Sequence, residues 1–402
     1  MPVSEPETIL RVAAKGDGVT ASGRFFAGAA PGDTVLADGT IQPGPHHAAP
    51  PCRHFGTCGG CQLQHLDDAS LADFVAERVA NAAASQGLVP DRILPPHISP
   101  PFSRRRASLH AVSTGGRIAL GYREGRSHKL VDLAECPLLV PELAALIGPL
   151  RRMLARQGGR IAVEIELAQA EQGPDVAVKG LAVEGRAATE TMLGFAREHG
   201  LARLTLDQGY GPEALWEPEP VTVALAGVSV PLPPGAFLQA TADGEAALIA
   251  AAQAWLGGAP AVADLFAGLG TFAFALAGPG TKVLAVEAAR EAHLACKAVA
   301  ARLQTPLAAL HRDLFRNPLM PDELNRFAAV LLDPPRAGAR EQIERLALST
   351  VERIVYISCN PSSWARDGAL LAAAGYRLAE LRPVGQFRWS THVELASLFV
   401  RR

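Results

Sequence analysis

A cysteine near the C-terminus follows an apolar strand pattern and stands where it could do chemistry. Residues 353–357 read as a buried strand, and Ser358-Cys359-Asn360-Pro361 follows directly. The preceding strand pattern, residues 327–332, ends in Asp333-Pro-Pro-Arg336. Ligands bind at the carboxyl ends of strands in α/β sheets, so we expect Cys359 and Asp333 at one ligand-binding edge. A thiol held there can act as a nucleophile.

A glycine-rich turn in the same half predicts a nucleoside site. Residues 261–266 form a strand pattern, Ala267-Gly-Leu-Gly270 forms a turn, and a helix pattern begins near Thr271. Glycines let the backbone approach a ligand, and a helix N-terminus offers free N–H groups. The next strand ends in Glu287, whose carboxylate can accept both hydroxyls of a ribose. The turn also satisfies the dinucleotide fingerprint, so an NAD-dependent dehydrogenase remains an alternative here.

Three of the six cysteines lie within ten residues, at Cys52, Cys58 and Cys61. No secretory signal accompanies them, so metal binding is favoured over a disulfide framework. A fourth thiolate is needed, and Cys136 is the unassigned cysteine in that half. The spacing alone fits zinc and iron–sulfur equally, and free thiols are a further alternative. Cys296, in an Ala-rich helical pattern, is interpreted as a packed small residue.

Composition places few limits on the partner. The 402 residues carry a formal charge of −2, so no global basic field points to nucleic acid. Residues 100–130 are locally basic, with seven Arg or Lys residues against Glu124, and Arg104-Arg-Arg106 opens that run. Such a run is a solvated face or a set of phosphate contacts. The Ala-rich stretch 246–281 has one charged residue, but glycines and prolines interrupt it, so no membrane span is expected.

The elements that must position these residues fall into three predicted domains. Residues 1–45 are Gly-rich and weakly alternating, which predicts a few β-strands in a small barrel-like module. Residues 46–230 carry the cysteine loop, helical patterns at 66–87 and 141–157, and strands at 107–112, 117–122 and 160–168, which predicts an α+β domain. The last domain begins at residue 231, and from residue 242 helices and strands alternate, which predicts an α/β domain with a mostly parallel sheet.

The motifs together resemble the bacterial RNA uracil-C5 methyltransferases, which act on 23S rRNA and on the tRNA T-loop. Asp-Pro-Pro after the fourth strand is typical of methyltransferases that act on nucleic acid, and a dehydrogenase has no need of a cysteine one strand later. The cysteine cluster and Cys136-Pro137 extend the resemblance to the middle of the chain. The matching stretches in the last domain are Gly235-Ala-Phe-Leu-Gln239, Asp264-Leu-Phe-Ala-Gly-Leu-Gly270, Leu332-Asp-Pro-Pro-Arg-Ala-Gly338, Ile357-Ser-Cys-Asn-Pro361, Ala365-Arg-Asp367 and His392-Val-Glu394.

The resemblance implies roles for these residues. It makes Cys359 the nucleophile and Glu394 the general base; an isolated His-x-Glu would otherwise be interpreted as a surface pair. It implies a class I fold that binds S-adenosylmethionine (SAM). The implied SAM contacts are Gln239, Phe266, Thr271, Glu287, Asp313 and Asp333. Two positions depart from the family, since Thr271 and Thr241 stand where asparagine is usual, and weaker contacts are expected there.

The resemblance also implies the other partners. It selects a 4Fe–4S cluster at the four cysteines, with a structural role because methyl transfer moves no electrons. The N-terminal module is similar to a shortened TRAM domain, an RNA-binding barrel. The expected substrate is a single-stranded or looped segment of 23S rRNA; tRNA uridine-54 is the alternative, disfavoured because the tRNA branch typically lacks the cysteines. The expected enzyme is a cytoplasmic monomer. Phe237 is expected to stack on the flipped base or to pack in the core.

A protein of another class remains as a rival. A non-catalytic RNA-binding protein could use the same scaffold, but it would not need an intact Cys359 and Glu394. The covalent chemistry does need them: a thiolate adds to C6 of uracil, C5 takes the methyl group, and a base removes the C5 proton. A free thiol has a pKa near ~8.5, so Cys359 is expected to be activated by its surroundings, with Arg336 a candidate neighbour.

Overall fold

The computed structural model of the chain describes residues 5–114, 116–125, 127–157 and 159–401. Its first part is an antiparallel sheet with the strand order β3-β2-β1-β4-β5. Those strands are β1 (Glu7–Val12), β2 (Gly18–Thr20), β3 (Phe25–Phe26), β4 (Thr34–Val35) and β5 (Ile41–Gln42). Ile9, Ala29 and Val35 form its small core. A β module therefore occupies the predicted place, and its likeness to a TRAM domain stays a prediction.

The cysteine loop is followed by helix α1 (Asp68–Ser85) and two short strands, β6 (Arg92–Ile93) and β7 (His97–Ile98). The Asp67 side chain caps α1 by accepting a 2.8 Å hydrogen bond from the Ser70 N–H. Leu71, Phe74 and Val75 are buried at the helical spacing that the sequence predicts. One apolar stripe therefore fixes which side of α1 faces the core.

The middle of the chain forms a six-stranded sheet with the order β13-β12-β11-β10-β8-β9. Helices α2, α3 and α4 contact its strands. The elements are β8 (Arg106–Thr114), β9 (Arg117–Gly121), α2 (Pro141–Ala145), α3 (Ile147–Gln157), β10 (Ala162–Ala170), β11 (Gly173–Lys179), α4 (Gly185–Glu198), β12 (Arg203–Asp207) and β13 (Pro212–Trp216). A two-stranded ribbon, β14 (Thr222–Leu225) with β15 (Val228–Pro231), leads out of this part.

The helix predicted over residues 141–157 is two helices. α2 ends at Ala145 and α3 begins at Ile147. Pro149 explains the break, because it has no N–H to donate and its ring clashes with the carbonyl of Ala145 in a continuous helix. The alternation in β10 matches the prediction, with Val163, Ile165 and Leu167 buried on one face.

The C-terminal sheet has the order β18-β17-β16-β19-β20-β22-β21, with β6 at the end and β7 also paired to β21. Its elements are α5 (Ala242–Leu256), β16 (Ala261–Leu265), α6 (Thr271–Leu276), β17 (Lys282–Glu287), α7 (Arg290–Leu303), β18 (Leu307–His311), α8 (Pro321–Leu324), β19 (Ala329–Leu332), α9 (Arg340–Ala347), β20 (Arg353–Ser358), α10 (Pro361–Ala373), β21 (Tyr376–Gly385) and β22 (Glu394–Arg401). Strands β16 to β20 are mutually parallel, whereas β22 is antiparallel to both neighbours. This reversed strand distinguishes the sheet from the 3-2-1-4-5-6 sheet of dinucleotide-binding folds, and the α/β fold is that of class I methyltransferases.

Segments that precede residue 231 pack against the sheet that follows it, so contacts cross the predicted domain boundary. Strands β6 and β7, from the predicted central domain, pair in parallel with β21. Helix α1 contacts α10 and β21. These short segments thereby cover the edge of the C-terminal sheet, which would otherwise expose unpaired backbone groups. The three-domain division itself stays a prediction.

The search for membrane-spanning helices covered the described residues. Within them, no helix is both long and apolar enough to cross a bilayer.

Candidate active site

A cavity of about 620 Å³ lies at the carboxyl edge of the C-terminal sheet. A site of this volume is within the range of small-molecule pockets. Each of the five parallel strands contributes a residue just after or at its end: Phe266, Glu287, Asp313, Asp333 and Cys359. Glu394, the first residue of β22, and Thr271, the first residue of α6, complete this set. The structure therefore brings together seven of the eight catalytic and cofactor residues that the sequence predicts.

The floor of the cavity is the turn between β16 and α6. Phe266 adopts a left-handed backbone conformation with φ of 62°, unusual for a non-glycine residue. Its ring lies 5.3 Å from the ring of Phe315, centroid to centroid, so two aromatic rings form one wall. Gly270 caps α6 with φ of 94°, and a Cβ there would come within 2.8 Å of the Cys296 sulfur. Cys296 is buried behind the turn, as the packing interpretation expects.

Two carboxylates on this side of the cavity are already hydrogen-bonded to backbone groups. Glu287 accepts from the N–H of Gly268 at 2.8 Å and from that of Ala289 at 2.6 Å. Asp313 accepts from the N–H of Phe315 at 3.0 Å. Each carboxylate oxygen has a second lone pair, so hydroxyl or amino donors of a nucleoside can still bind. Apolar rings beside fixed carboxylates match the chemistry of adenosine, so these residues fit SAM.

Gln239 occupies a different place from the other predicted contacts. It is buried behind the cavity wall, and its amide nitrogen donates to the Asp333 carboxylate at 3.0 Å. Its amide oxygen accepts from the Gln386 side chain at 2.8 Å. Thr241, one of the two departures from the family, is also behind the wall, where it caps α5 by accepting from the Gly244 N–H. Both side chains support the cavity from outside.

Cys359 lies in a tight connection between β20 and α10. The next residue, Asn360, caps α10 by accepting from the Ser362 N–H at 3.2 Å. Asn360 and Ser363 also donate to the carbonyl of Arg336, at 2.9 and 3.0 Å. These bonds tie the Ser-Cys-Asn-Pro loop to the Asp-Pro-Pro-Arg loop. The two strand ends are therefore one rigid unit.

Burial dominates the acidity of Cys359. A helix N-terminus lowers a thiol pKa, and the Arg336 guanidinium acts in the same direction. Burial and the carboxylates of Glu394 and Asp333 outweigh both and raise the pKa of Cys359 to about 11. Together, the protein neighbours of Cys359 therefore do not lower the pKa of its thiol, contrary to the expected activation.

The same burial affects the neighbouring carboxyls. It raises the pKa of Glu394 to about 7, against the lowering influence of Gln386, Arg106 and Arg336. The pKa of Asp333 is raised well above its usual range, by burial first and then by the Glu394 charge. A carboxyl with a pKa near 7 is suited to accept and release protons at neutral pH.

His392 and Glu394 do not share a face, although they are two residues apart. Glu394 is buried, whereas His392 is exposed. The reason is that β22 begins only at Glu394, so the strand period does not apply to His392. The His392 ring lies 2.6 Å from the guanidinium of Arg336. Partial burial of the ring and then the Arg336 charge lower the pKa of His392, so its neutral ring can accept from Arg336 and steady that cation at the cavity mouth.

The basic run splits into buried and exposed parts. Arg105 is buried and forms an ion pair with Glu245 at 2.5 Å, so it is not available to RNA, which corrects the phosphate-contact expectation. The guanidinium of Arg106 lies 4.6 Å from the ring of Phe237, at the cavity. Phe237 itself is 60% exposed, so core packing is excluded for it. Arg117, Arg123 and Lys129 are exposed, and Arg126 lies outside the described residues.

The four predicted metal ligands line one small cavity of about 20 Å³. Cys52, Cys58, Cys61 and Cys136 are all free thiols there. Burial raises the pKa of Cys61 to about 12. Within the described residues, no group of three or more His, Cys, Asp or Glu side chains is arranged to hold a metal ion.

Sequence reasoning did not find three polar side chains at these sites. Gln386 donates a hydrogen bond to Glu394, and Arg106 lines a neighbouring cavity that shares Phe237 with the active-site cavity. The buried Tyr122 hydroxyl beside the cysteines has no hydrogen-bond partner among the described residues. Arg106 was visible only as part of a basic run. Nothing in the sequence around Gln386 or Tyr122 marks them, because their contacts come from distant segments.

Comparison with known proteins identifies the family. A family model described as tRNA (uracil-5-)-methyltransferase matches residues 233–402, which is the C-terminal part that contains the cavity. An uncharacterized RNA methyltransferase of Zymomonas mobilis is 47% identical over 98% of this chain and 99% of its own length. A 23S rRNA (uracil(1939)-C(5))-methyltransferase of Pectobacterium atrosepticum is 31% identical over 90% of this chain and 82% of its own length.

A solved structure shares the fold over nearly the whole chain. It is the Pyrococcus abyssi tRNA (uracil-54, C5)-methyltransferase in complex with S-adenosyl-L-homocysteine, with a TM-score of 0.75 and 22% identity. The match covers 98% of this chain and 100% of that one. The dehydrogenase alternative is therefore wrong. The chain belongs to the family of SAM-dependent RNA (uracil-5-)-methyltransferases.

Proposed function

We propose that this enzyme methylates C5 of a uridine in RNA through a covalent adduct in which Cys359 is joined to C6 of the base. One observation carries the proposal: Cys359 and Glu394 line the same cavity as the glycine turn and Glu287. A nucleophile and a base are thereby presented beside a nucleoside site. The non-catalytic alternative leaves this juxtaposition without a purpose.

The residues divide the chemistry between them. The Cys359 thiolate adds to C6, and the resulting enolate makes C5 nucleophilic enough to take a methyl group. SAM supplies that methyl group and carries a positive sulfonium charge. Glu394 then takes the C5 proton, the electrons of that bond reform the C5–C6 double bond, and the Cys359 thiolate leaves. The acid of Glu394 returns its proton to solvent.

The proposed SAM contacts follow from the cavity. Phe266 forms the apolar wall with Phe315. With SAM bound, Glu287 would face the ribose hydroxyls and Asp313 the adenine side. Thr271 is at the N-terminus of α6, and Asp333 is at the methionine end, beside Cys359. Gln239 acts on Asp333 from behind the wall. A glutamate-to-alanine change at Glu287 should weaken SAM binding in calorimetry while RNA binding persists.

The nucleophile is tested with a matched pair of cysteine variants. Cys359→Ala should bind RNA and SAM yet transfer no tritiated methyl group from SAM. Cys296→Ala removes the buried thiol that does not line the cavity and should retain turnover. Methylation by Cys359→Ala at the wild-type rate would contradict the assignment.

The base is tested by the fate of the adduct. Glu394→Gln removes the proton acceptor but keeps the shape and one hydrogen-bond acceptor. The covalent RNA adduct should then accumulate, visible as a slow band on a denaturing gel. Rapid release of methylated product by Glu394→Gln would assign the base to another residue.

For the substrate we propose 23S rRNA. The relative from Pectobacterium, named for a 23S rRNA uracil, supports this assignment. The cysteine cluster also supports it through the family resemblance. The tRNA alternative has the name of the family model in its favour. Mass spectrometry of 5-methyluridine in rRNA and tRNA from a deletion strain separates the two, because only the true substrate loses the modification.

We propose that the four clustered cysteines hold a 4Fe–4S cluster with a structural role. Four free thiols line one cavity, and the buried Tyr122 hydroxyl, without a partner among the described residues, is available to donate to a sulfide.

Metal analysis of the intact protein tests the cluster. Anaerobically purified protein should be brown and contain about four irons and four sulfides per chain. Tyr122→Phe should leave the iron content near wild type but speed its loss in air. A colourless protein with one tightly bound zinc would overturn the proposal.

The proposal also covers the roles of the three domains, the oligomeric state and the location of the enzyme. The short N-terminal sheet serves as a TRAM-like RNA contact, the middle of the chain as the RNA-binding and cysteine domain, and residues 231–402 as the catalytic domain. The enzyme acts as a monomer in the cytoplasm. Deletion of residues 1–45 should therefore weaken RNA binding while SAM binding is preserved. Light scattering should give the mass of a monomer.

A further inference from the structure

We propose that Gln386 is a positioning residue that holds the Glu394 carboxylate ionised and, through Gln239, joins it to Asp333. The inference rests on the proposed function, because it takes Glu394 as the base. The three linked polar side chains, Gln239 and Gln386 behind the cavity and Glu394 in its lining, are buried, at 3%, 2% and 3% exposure. Buried polar groups of this kind are costly unless every hydrogen bond is satisfied.

One backbone group fixes the direction of the whole network. The Ala240 N–H can only donate, and it donates to the Gln386 side-chain oxygen at 2.9 Å. The amide nitrogen of Gln386 must then face the other way, toward Glu394 and the side-chain oxygen of Gln239. Because its oxygen is used, Gln239 presents its own nitrogen to Asp333, at 3.0 Å. Both carboxylates consequently receive amide donors.

The direction of these hydrogen bonds affects the pKa of Glu394. An N–H donor stabilises a carboxylate more than a protonated acid, so Gln386 opposes the burial that drives Glu394 toward its neutral form. The network leaves Glu394 with a pKa of about 7, where it is largely ionised in slightly alkaline conditions yet still basic enough to take a proton. Without the donor, burial would raise the pKa of Glu394 further, so that a larger share of the carboxyl stays protonated at neutral pH.

Other charges around Glu394 do not replace this donor. The cations Arg106 and Arg336 and the acidic groups Asp333 and Cys359 face Glu394. The cations favour the ionised form of Glu394, whereas negative charge on the acidic groups disfavours it. Within the described part of the chain, Gln386 makes the one hydrogen bond recorded to the Glu394 side chain. Its loss would therefore not be compensated locally.

The test is the pH dependence of single-turnover methylation by Gln386→Met, which keeps the side-chain length but removes both donors. The acid-side midpoint should rise by about one pH unit, so that activity at pH 6 falls about tenfold while activity at pH 9 changes little. The covalent adduct should accumulate at pH 6 but not at pH 9, since only Glu394-dependent elimination is impaired.

Gln342→Met is the matched control. Gln342 is equally buried, and its amide both donates to and accepts from Leu319, away from the cavity. It should lose stability without moving the pH midpoint. A second variant, Gln239→Met, removes the donor to Asp333 and the acceptor for Gln386 but leaves the hydrogen bond from Gln386 to Glu394. It should weaken SAM binding and leave the midpoint in place.

The outcomes distinguish a failure of the Gln386 positioning role from a failure of the proposed function. A uniform loss of activity with Gln386→Met, or an unchanged midpoint in folded protein, overturns the positioning role. A midpoint shift in Gln239→Met as large as that in Gln386→Met also overturns it. Failure of the wild type to methylate any uridine in rRNA or tRNA would instead defeat the proposed function.

Discussion

The backbone carbonyl of Trp389 accepts a 2.8 Å hydrogen bond from the N–H of Gln62, one residue after the last clustered cysteine. The Gln62 side chain adds two more bonds: it accepts from the Thr391 N–H at 3.3 Å and donates to the Gly59 carbonyl at 2.7 Å. The cysteine loop is thereby fastened to the segment that leads into Glu394.

Replacing Gln62 by leucine tests this connection. The change removes both side-chain bonds and loosens the approach to Glu394, so kcat should fall about tenfold while the Kd for SAM stays within about twofold. Single-turnover methylation and calorimetry measure the two quantities. Gln172→Leu is the matched control, since Gln172 bridges to Thr222 with two 2.8 Å bonds far from the cavity. Equal losses in both variants would mean that Gln62 contributes only general stability.

The sequence was informative where chemistry follows the ends of regular elements. Asp333 and Cys359 directly follow parallel strands, so topology alone brings them to one edge. Glu287 ends β17 and follows the same rule. The alternating helices and strands after residue 241 likewise predicted the parallel part of the sheet.

The sequence was uninformative where contacts join distant segments. Gln386 and Gln239 are 147 residues apart, and no local pattern links them. Strands β6 and β7 are two residues each, too short for periodicity, so their pairing with β21 could not be foreseen. Arg105 looked like a surface cation until its partner Glu245, on α5, was known. Burial likewise reversed the expected acidity of Cys359.

The exposed cations near the cysteine loop should bind RNA phosphates. Arg123 and Lys129 are exposed beside that loop, and the Arg123 carbonyl accepts from the Gly59 N–H at 2.9 Å. The double change Arg123→Ala with Lys129→Ala should weaken RNA binding regardless of sequence and reduce the slope of log Kd against log salt by about two. Filter binding over a salt series gives this slope. Arg186→Ala, an exposed cation on α4, is the control that should leave the slope unchanged.

Arg105 should behave differently from these surface cations. Its guanidinium is buried against Glu245 and donates to the Gln239 carbonyl at 3.0 Å. Arg105→Ala leaves the Glu245 charge buried and alone, so the protein should lose about 3 kcal/mol of stability. Urea denaturation measures this loss. A fully stable Arg105→Ala protein with weakened RNA binding would show that Arg105 reaches the substrate after all.

Cys359 should become reactive only when a positive charge enters the cavity. Its pKa of about 11 leaves little thiolate at neutral pH. A bound sulfonium beside the thiol favours the thiolate, so SAM should speed the alkylation of Cys359 by iodoacetamide at pH 7.5 by about tenfold. S-adenosylhomocysteine, whose sulfur is uncharged, is the matched ligand. Peptide mass spectrometry resolves Cys359 from the other cysteines, and equal rates with both ligands would exclude activation by the charge.

The buried base should cost the protein stability above neutral pH. The folded-state pKa of Glu394 is raised from 4.5 to about 7, so the unfolded chain releases this proton more readily than the folded one. The stabilisation from the protonated carboxyl is therefore complete below pH 4.5 and lost as the pH rises through 7. Glu394→Gln stays neutral at every pH. At pH 8 it should be more stable than the wild type by about 3 kcal/mol, although it is inactive.

Chemical denaturation of both proteins at several pH values checks this sign. The difference should be small at pH 4.5, grow between pH 5 and pH 7, and then level off, because only in that interval do the folded and unfolded chains bind different numbers of protons. Gln386 can still donate to the new amide oxygen, so the network is not broken by the change. A wild type that is more stable than Glu394→Gln at pH 8 would mean that Gln386, Arg106 and Arg336 together outweigh burial, and that Glu394 is ionised well below neutrality.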